Sequence, residues 1–103
     1  MKRNGTLTRQ LILKSLKDHQ EILRKYAVRR IGLFGSYAAG KQTAKSDIDF
    51  LVDFAEPTFD NFMALSIHLE RLFHKKIDLI TDGSLSPYIK PYVDKQVRWH
   101  EVE

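Results

Sequence analysis

Between Arg30 and Phe54 the chain carries two short apolar runs joined by a glycine-serine turn and a polar link. The first run, Arg30 to Phe34, ends at Gly35-Ser36. Ten residues further on, Asp47 and Asp49 open the second run with only Ile48 between them. Runs of this length, rich in branched and aromatic side chains, read as strands, and the glycine ends the first of them. Strand side chains alternate between faces. Ile48, Phe50, Val52 and Phe54 then enter a core, while Asp47, Asp49, Leu51 and Asp53 share the opposite face. Asp47 and Asp49 become close neighbours on one surface, and two like charges so placed repel unless a cation lies between them.

A third strand-like run, Lys76 to Thr81, holds Asp78 between Ile77 and Leu79-Ile80. A lone carboxylate buried in an apolar strand is costly, which favours a place for Asp78 beside the other two. Three carboxylates and a small turn are the parts of a two-metal phosphoryl-transfer site. Magnesium takes carboxylate, phosphate and water oxygens. Gly35 lets the backbone approach a ligand closely, and Ser36 adds a hydroxyl and an N–H for a phosphate oxygen. A third carboxylate beside the pair can complete one metal site and accept a proton from an attacking hydroxyl. The plainer alternatives are turn chemistry for the aspartate pair and an edge-facing structural role for Asp78. Asp53 lies about 13 Å along the strand from Asp49, too far to share its ion, and is left to the surface with Glu56.

The same stretch nearly spells a phosphate-binding P-loop, with Gly35, four residues, and Gly40-Lys41. The next position is Gln42, where that motif needs a magnesium-binding serine or threonine, and no long helix follows. An EF-hand fails because an apolar strand, not a calcium loop, follows Asp49.

Around this centre the spacing predicts a helix from Leu7 to about Tyr26, capped by Thr6 or Thr8, with a break at His19-Gln20. A second helix runs from a Thr58 cap to about Phe73, with Phe62, Leu65, Leu69 and Leu72 on one stripe. Asp82-Gly83 is a turn. Pro91 would break a continuous helix, so a short turn and then a helix to about Gln96 are expected. The link between the first two strands has room for one helical turn. The order helix, strand, strand, helix, strand, helix gives an α/β (α+β) fold, a small mixed β-sheet with flanking helices.

With 103 residues, one domain spanning 1–103 is expected. So short a domain buries little surface, which leaves room for a partner or an oligomer. The net charge of +4 is mild and suits either plain solubility or attraction for nucleotide phosphates and acidic partners. There is no cysteine, so disulfide and cysteine-metal chemistry is excluded. No apolar run approaches the ~20 residues that span a bilayer, and Met1 to Gly5 lacks the apolar core of a signal peptide. A cytoplasmic protein is expected.

The set Gly35-Ser36, Asp47-Ile48-Asp49 and Asp78 resembles the polymerase-beta nucleotidyltransferase superfamily. More narrowly, nearly the whole chain is similar to the minimal nucleotidyltransferases, the MNT antitoxins that pair with HEPN-domain ribonuclease toxins; Ser46-Asp47-Ile48-Asp49-Phe50-Leu51-Val52 is typical of them. The resemblance implies the nucleotidyltransferase palm fold and the use of ATP with two Mg2+ ions. It implies that Gly35 and Ser36 hold the triphosphate, that Asp47 and Asp49 bind both metals, and that Asp78 completes one metal site and helps deprotonate the acceptor. It also implies AMP transfer to a tyrosine of the cognate HEPN toxin, which silences it. Many relatives carry arginine where this chain has Ala39; Lys41 is the nearest substitute.

Two other readings stand beside this one. The chain could be a binding antitoxin with a vestigial site, although a pure binder has no need of three clustered carboxylates. It could also be a nucleotidyltransferase acting on RNA or a small molecule; the absence of an aromatic-basic platform argues against nucleic acid as the direct substrate. Tyr88, Tyr92 and Trp99 are candidates for a partner interface, with core packing the better expectation for each. Arg29-Arg30 is expected to be a solvated strand end.

Overall fold

The computed structural model describes residues 7–103; the expectations placed on Met1 to Gly5 and on Thr6 lie outside them. The elements are α1 (Arg9–Asp18), α2 (Gln20–Lys25), β1 (Val28–Phe34), α3 (Gly35–Ala39), β2 (Ile48–Phe54), α4 (Phe59–Phe73), β3 (Ile77–Thr81), a 3-10 turn (Asp82–Ser84), α5 (Lys90–Gln96) and β4 (Arg98–Glu101). Thr8 caps α1 by accepting the Leu11 N–H at 3.2 Å, which satisfies one of the donors that a helix start leaves free. The break falls at His19, whose N–H donates to the Ser15 carbonyl at 3.0 Å. Among the described residues, no helix is long and apolar enough to cross a membrane.

The strands lie in the order β3-β2-β1-β4, with β1 antiparallel to β2 and β4, and β2 parallel to β3. A parallel pair needs a long crossover, and α4 supplies it, capped where Thr58 accepts the Asn61 N–H at 3.1 Å. One sheet face carries Ile31, Leu33, Phe50, Val52 and Leu79. It closes on Ile12, Leu16 and Leu23 from the leading helices and on Leu65, Leu69 and Phe73 from α4. The alternation expected for β2 holds: Ile48, Phe50, Val52 and Phe54 all belong to this core.

The opposite face has a thinner cover that the sequence pattern did not disclose. Leu51 is fully buried yet stands outside the main core. It pairs with Gly32 of β1, where a Cβ would overlap Val97 and come within 2.9 Å of Trp99 Cε3. The chain leaving α5 therefore lies directly on the β1 backbone, and only glycine admits it. It continues as β4, a strand not expected from Arg98-Trp99-His100-Glu101, which pairs with Arg30 to Leu33. Arg30 stacks 3.9 Å from the centre of the Trp99 ring and reaches Asp53 and Asp82, each at 3.8 Å. Instead of a solvated strand end, it is a half-buried cross-link between β1, β2, β4 and the turn after β3.

On the helical side, His68 of α4 meets the rings of His19 at 6.0 Å and Tyr26 at 6.4 Å, and its Nε2 is buried without a hydrogen-bond partner. Burial first, then the neighbouring His19 and Arg71, hold its pKa below the ordinary 6.5. As pH falls from 6.5 toward the lower folded value, the unfolded chain binds a proton that the folded chain refuses, so stability declines with acidification. His68→Phe keeps a ring in place and is expected to lessen the fall in Tm between about pH 7.5 and about pH 5.5. An equal fall in both proteins would show that His68 does not set the acid sensitivity.

Candidate active site

The site is built from the end of β1. Phe34 pairs with Asp49 across the antiparallel ladder, and the chain then turns at Gly35 with φ 73°, in the left-handed region that side chains disfavour. A Cβ on Gly35 would overlap Asp49 Oδ2 and stand 3.0 Å from its Cγ. The turn is therefore packed directly against the carboxylate. On the other side of β2, Asp49 is in register with Asp78 of β3, and register partners share a sheet face. Asp47 lies two residues before Asp49, outside the strand and exposed; Asp49 is half-buried and Asp78 exposed.

These positions leave an electrostatic signature. Burial, then the charge of Asp78, then that of Asp47, push the Asp49 carboxyl from 3.8 up to about 6. The structure thus brings Gly35, Asp47, Asp49 and Asp78 to one end of the sheet, with Ser36 next in the chain. Asp53 is at the other end, engaged with Arg30.

The link from α3 to β2 is tied down locally. Gly40 takes φ 72°, and the Lys41 N–H donates to the Ser36 carbonyl at 2.9 Å, closing α3 after a single turn. No long helix follows, in line with the rejection of a P-loop. Ser46 Oγ accepts the Thr43 N–H at 2.9 Å, Lys75 Nζ donates to the Ala44 carbonyl at 3.2 Å, and the Ile48 N–H donates to the Lys76 carbonyl at 3.1 Å. These bonds fix where Asp47 leaves the loop. The parts played by Ser46 and Lys75 were missed in the sequence; the Ser/Thr spacing of a local side-chain-to-backbone turn is the signal that could have marked Ser46. Ala39 and Lys41 are exposed at the end of α3.

As they stand, no three His, Cys, Asp or Glu side chains among the described residues are gathered closely enough to hold a metal ion by themselves. Magnesium seldom asks for such a cage: one or two carboxylates hold it, and substrate phosphates and water complete the shell. Carboxylates converging on Asp49, with Asp47 and Asp78 open to solvent, fit that use. A cavity of about 660 Å³ beside the α3–β2 link is lined by Leu11, Tyr37 and Phe73 together with Gln42, Thr43 and Lys75, and by none of the aspartates.

A carboxylate set at the ends of paired strands, beside a glycine-serine turn, is the arrangement that a phosphoryl-transfer enzyme of the nucleotidyltransferase kind would use. Residues 17–97 match the family model described as polymerase beta, nucleotidyltransferase, and the chain belongs to that family. It is 43% identical over 91 residues to a candidate protein adenylyltransferase of Methanocaldococcus jannaschii, covering 84% of this chain and 91% of that protein. It is 40% identical over 93 residues to the protein adenylyltransferase MntA of Thermococcus cleftensis, covering 88% and 94%. A crystal structure of a toxin-antitoxin with AMP-PNP aligns over 90% of this chain and 72% of that one, with a TM-score of 0.66 and 28% identity. The mixed sheet with its flanking helices is the fold expected of this family, and the chain is a nucleotidyltransferase.

Proposed function

We propose that this chain, acting as a single minimal domain, transfers AMP from ATP to a tyrosine hydroxyl of a HEPN-domain ribonuclease toxin and so acts as its antitoxin. The observation that carries the reading is the register of β1, β2 and β3, which sets Asp49 between Gly35 and Asp78. Relatives named as protein adenylyltransferases and a related toxin-antitoxin structure with an ATP analogue support ATP as the nucleotide, a protein as the acceptor and a toxin as the partner.

In this reading Asp47 and Asp49 would hold two magnesium ions, and Asp78 would complete one of the two sites. The ions would supply positive charge for the phosphate oxygens and for the attacking hydroxyl. Gly35 and Ser36 present backbone and hydroxyl to the triphosphate. Asp78, exposed beside Asp49, takes the proton of the incoming hydroxyl. The acceptor oxygen bonds to the α-phosphorus and pyrophosphate leaves. Charge builds on phosphate oxygens, so positioning and electrostatics supply most of the acceleration.

The test is the intact mass of a HEPN-domain toxin co-expressed with this chain and exposed to ATP and magnesium, with Asp47→Ala/Asp49→Ala as the comparison. Mass rising by AMP units with the parent chain alone supports the reading. An unchanged mass, with neutralisation retained by the variant, would leave a binding antitoxin.

A further inference from the structure

We propose that one copy of this chain also transfers AMP to Tyr88 of another copy, an activity that rests on the adenylyltransferase reading above. The chain has four tyrosines, and their settings differ sharply. Tyr37 is buried in the core and Tyr26 packs beside His68. Tyr88 is 85% exposed and Tyr92 69%. Both were expected to pack inward; the structure turns them out.

Tyr88 is the better presented of the two. It stands in the turn before α5, where its N–H donates to Ser86 Oγ at 3.2 Å and the Lys90 N–H donates to the Ser86 carbonyl at 2.9 Å. The backbone is held while the phenol projects into solvent. A phenol ionises near pH ~10, far more readily than the alkyl hydroxyls of serine and threonine. An exposed tyrosine is thus the most easily activated hydroxyl acceptor this surface offers. Ile89, 53% exposed, widens the projection into a small apolar contact.

The fold separates this acceptor from its own active site. Lys90 Nζ reaches Asp82 at 3.2 Å, which anchors the turn to the far end of β3. Asp78 lies four residues back, about 13 Å along the strand. The turn that carries Tyr88 is thus held at the end of β3 away from Asp78. The active-site end of another copy is open, because Asp47 and Asp78 are both exposed, and a projecting turn can enter it. The contact is head to tail, so the rate rises with the concentration of the acting copy. In the acting copy the step is the one already described. The Tyr88 oxygen bonds to the α-phosphorus of ATP, the bond to the β-phosphate oxygen breaks, pyrophosphate leaves, and the phenolic proton passes to Asp78 and then to water.

The experiment mixes two full-length copies with ATP and magnesium. One is active and carries Tyr88→Phe. The other is the Asp47→Asn/Asp49→Asn form with Tyr88 intact. Intact mass and peptide mapping are expected to show AMP on the inactive copy, at Tyr88, at a rate proportional to the active copy. Tyr88→Phe in both copies is expected to lower the labelling about tenfold or more. AMP at Tyr92 or elsewhere, or labelling confined to the active copy, would overturn the proposal. The same active Tyr88→Phe copy is assayed in parallel on the co-expressed HEPN-domain toxin. Labelling of that protein with none on the inactive copy sinks this inference alone, whereas labelling of neither also sinks the reading of the site.

Discussion

Asparagine at both Asp47 and Asp49 is expected to lower AMP transfer by more than about a thousandfold while leaving the protein folded. The two positions lose their charge and keep their size. Asp47 is exposed, so its change touches no packing. Asp49 is a different case, because its ionised form burdens the apo fold: burial and the charges of Asp78 and Asp47 push its carboxyl up to about 6. Between 3.8 and about 6 the folded chain holds a proton that the unfolded chain has released, so wild-type stability falls as pH rises through that window. Asp49→Asn alone is therefore expected to raise Tm at neutral pH in the absence of metal. The gain is about 1 kcal/mol after discounting for solvent screening, or about 4–8 °C for a domain of this size. Near pH 4 the gain should vanish, because the wild-type carboxyl is then protonated in the folded chain. Thermal melts across this range, beside initial rates of AMP transfer, check both parts. Transfer surviving in the double variant would move the chemistry away from these residues. A variant less stable than the wild type at neutral pH would show that Asp49 is structurally paired rather than held for a cation.

This division between function and stability explains why the centre of the molecule was legible in the sequence. The period-two pattern of Ile48 to Phe54 placed one set of side chains in the core, and the structure puts Ile48, Phe50, Val52 and Phe54 there. The same pattern put Asp49 on the other face; Gly35 was read as allowing close approach to a ligand, and the structure shows its backbone lying against Asp49. The register of Asp49 with Asp78 was not legible, because strand pairing depends on the α4 crossover and not on either strand alone. Nor was β4: with one apolar side chain in Arg98 to Glu101, its strand character comes from pairing with β1. Arg30 was misjudged for a related reason, since its partners Trp99, Asp53 and Asp82 come from three separate segments. Composition alone also could not place Phe59, Met63 and Ile67, which follow one another at helical spacing on α4 and remain exposed.

Gly35→Ala is expected to reduce AMP transfer by about a hundredfold or more and to lower stability as well. Two separate effects meet at this residue. The backbone sits at φ 73°, which costs an L-residue about 1–2 kcal/mol. The added methyl would also overlap Asp49 Oδ2, and the carboxylate has little room to yield, because Asp49 is in register with Phe34 on one side and Asp78 on the other. It must rotate away from the position it shares with Asp47 and Asp78, and misplacement by about 1 Å is enough to cost about a hundredfold in rate. Gly40 separates the two effects. It has nearly the same backbone angle, φ 72°, but nothing stands within 4 Å of a Cβ built there. Gly40→Ala should therefore lose stability through the backbone alone and keep most of its activity. Melting curves and transfer rates for the two variants, measured side by side, decide the matter. If both lose stability and only Gly35→Ala loses activity, the contact with Asp49 sets the geometry of the site. If both lose activity in proportion to stability, the glycine turn serves the fold, and Asp49 is positioned by the strands alone.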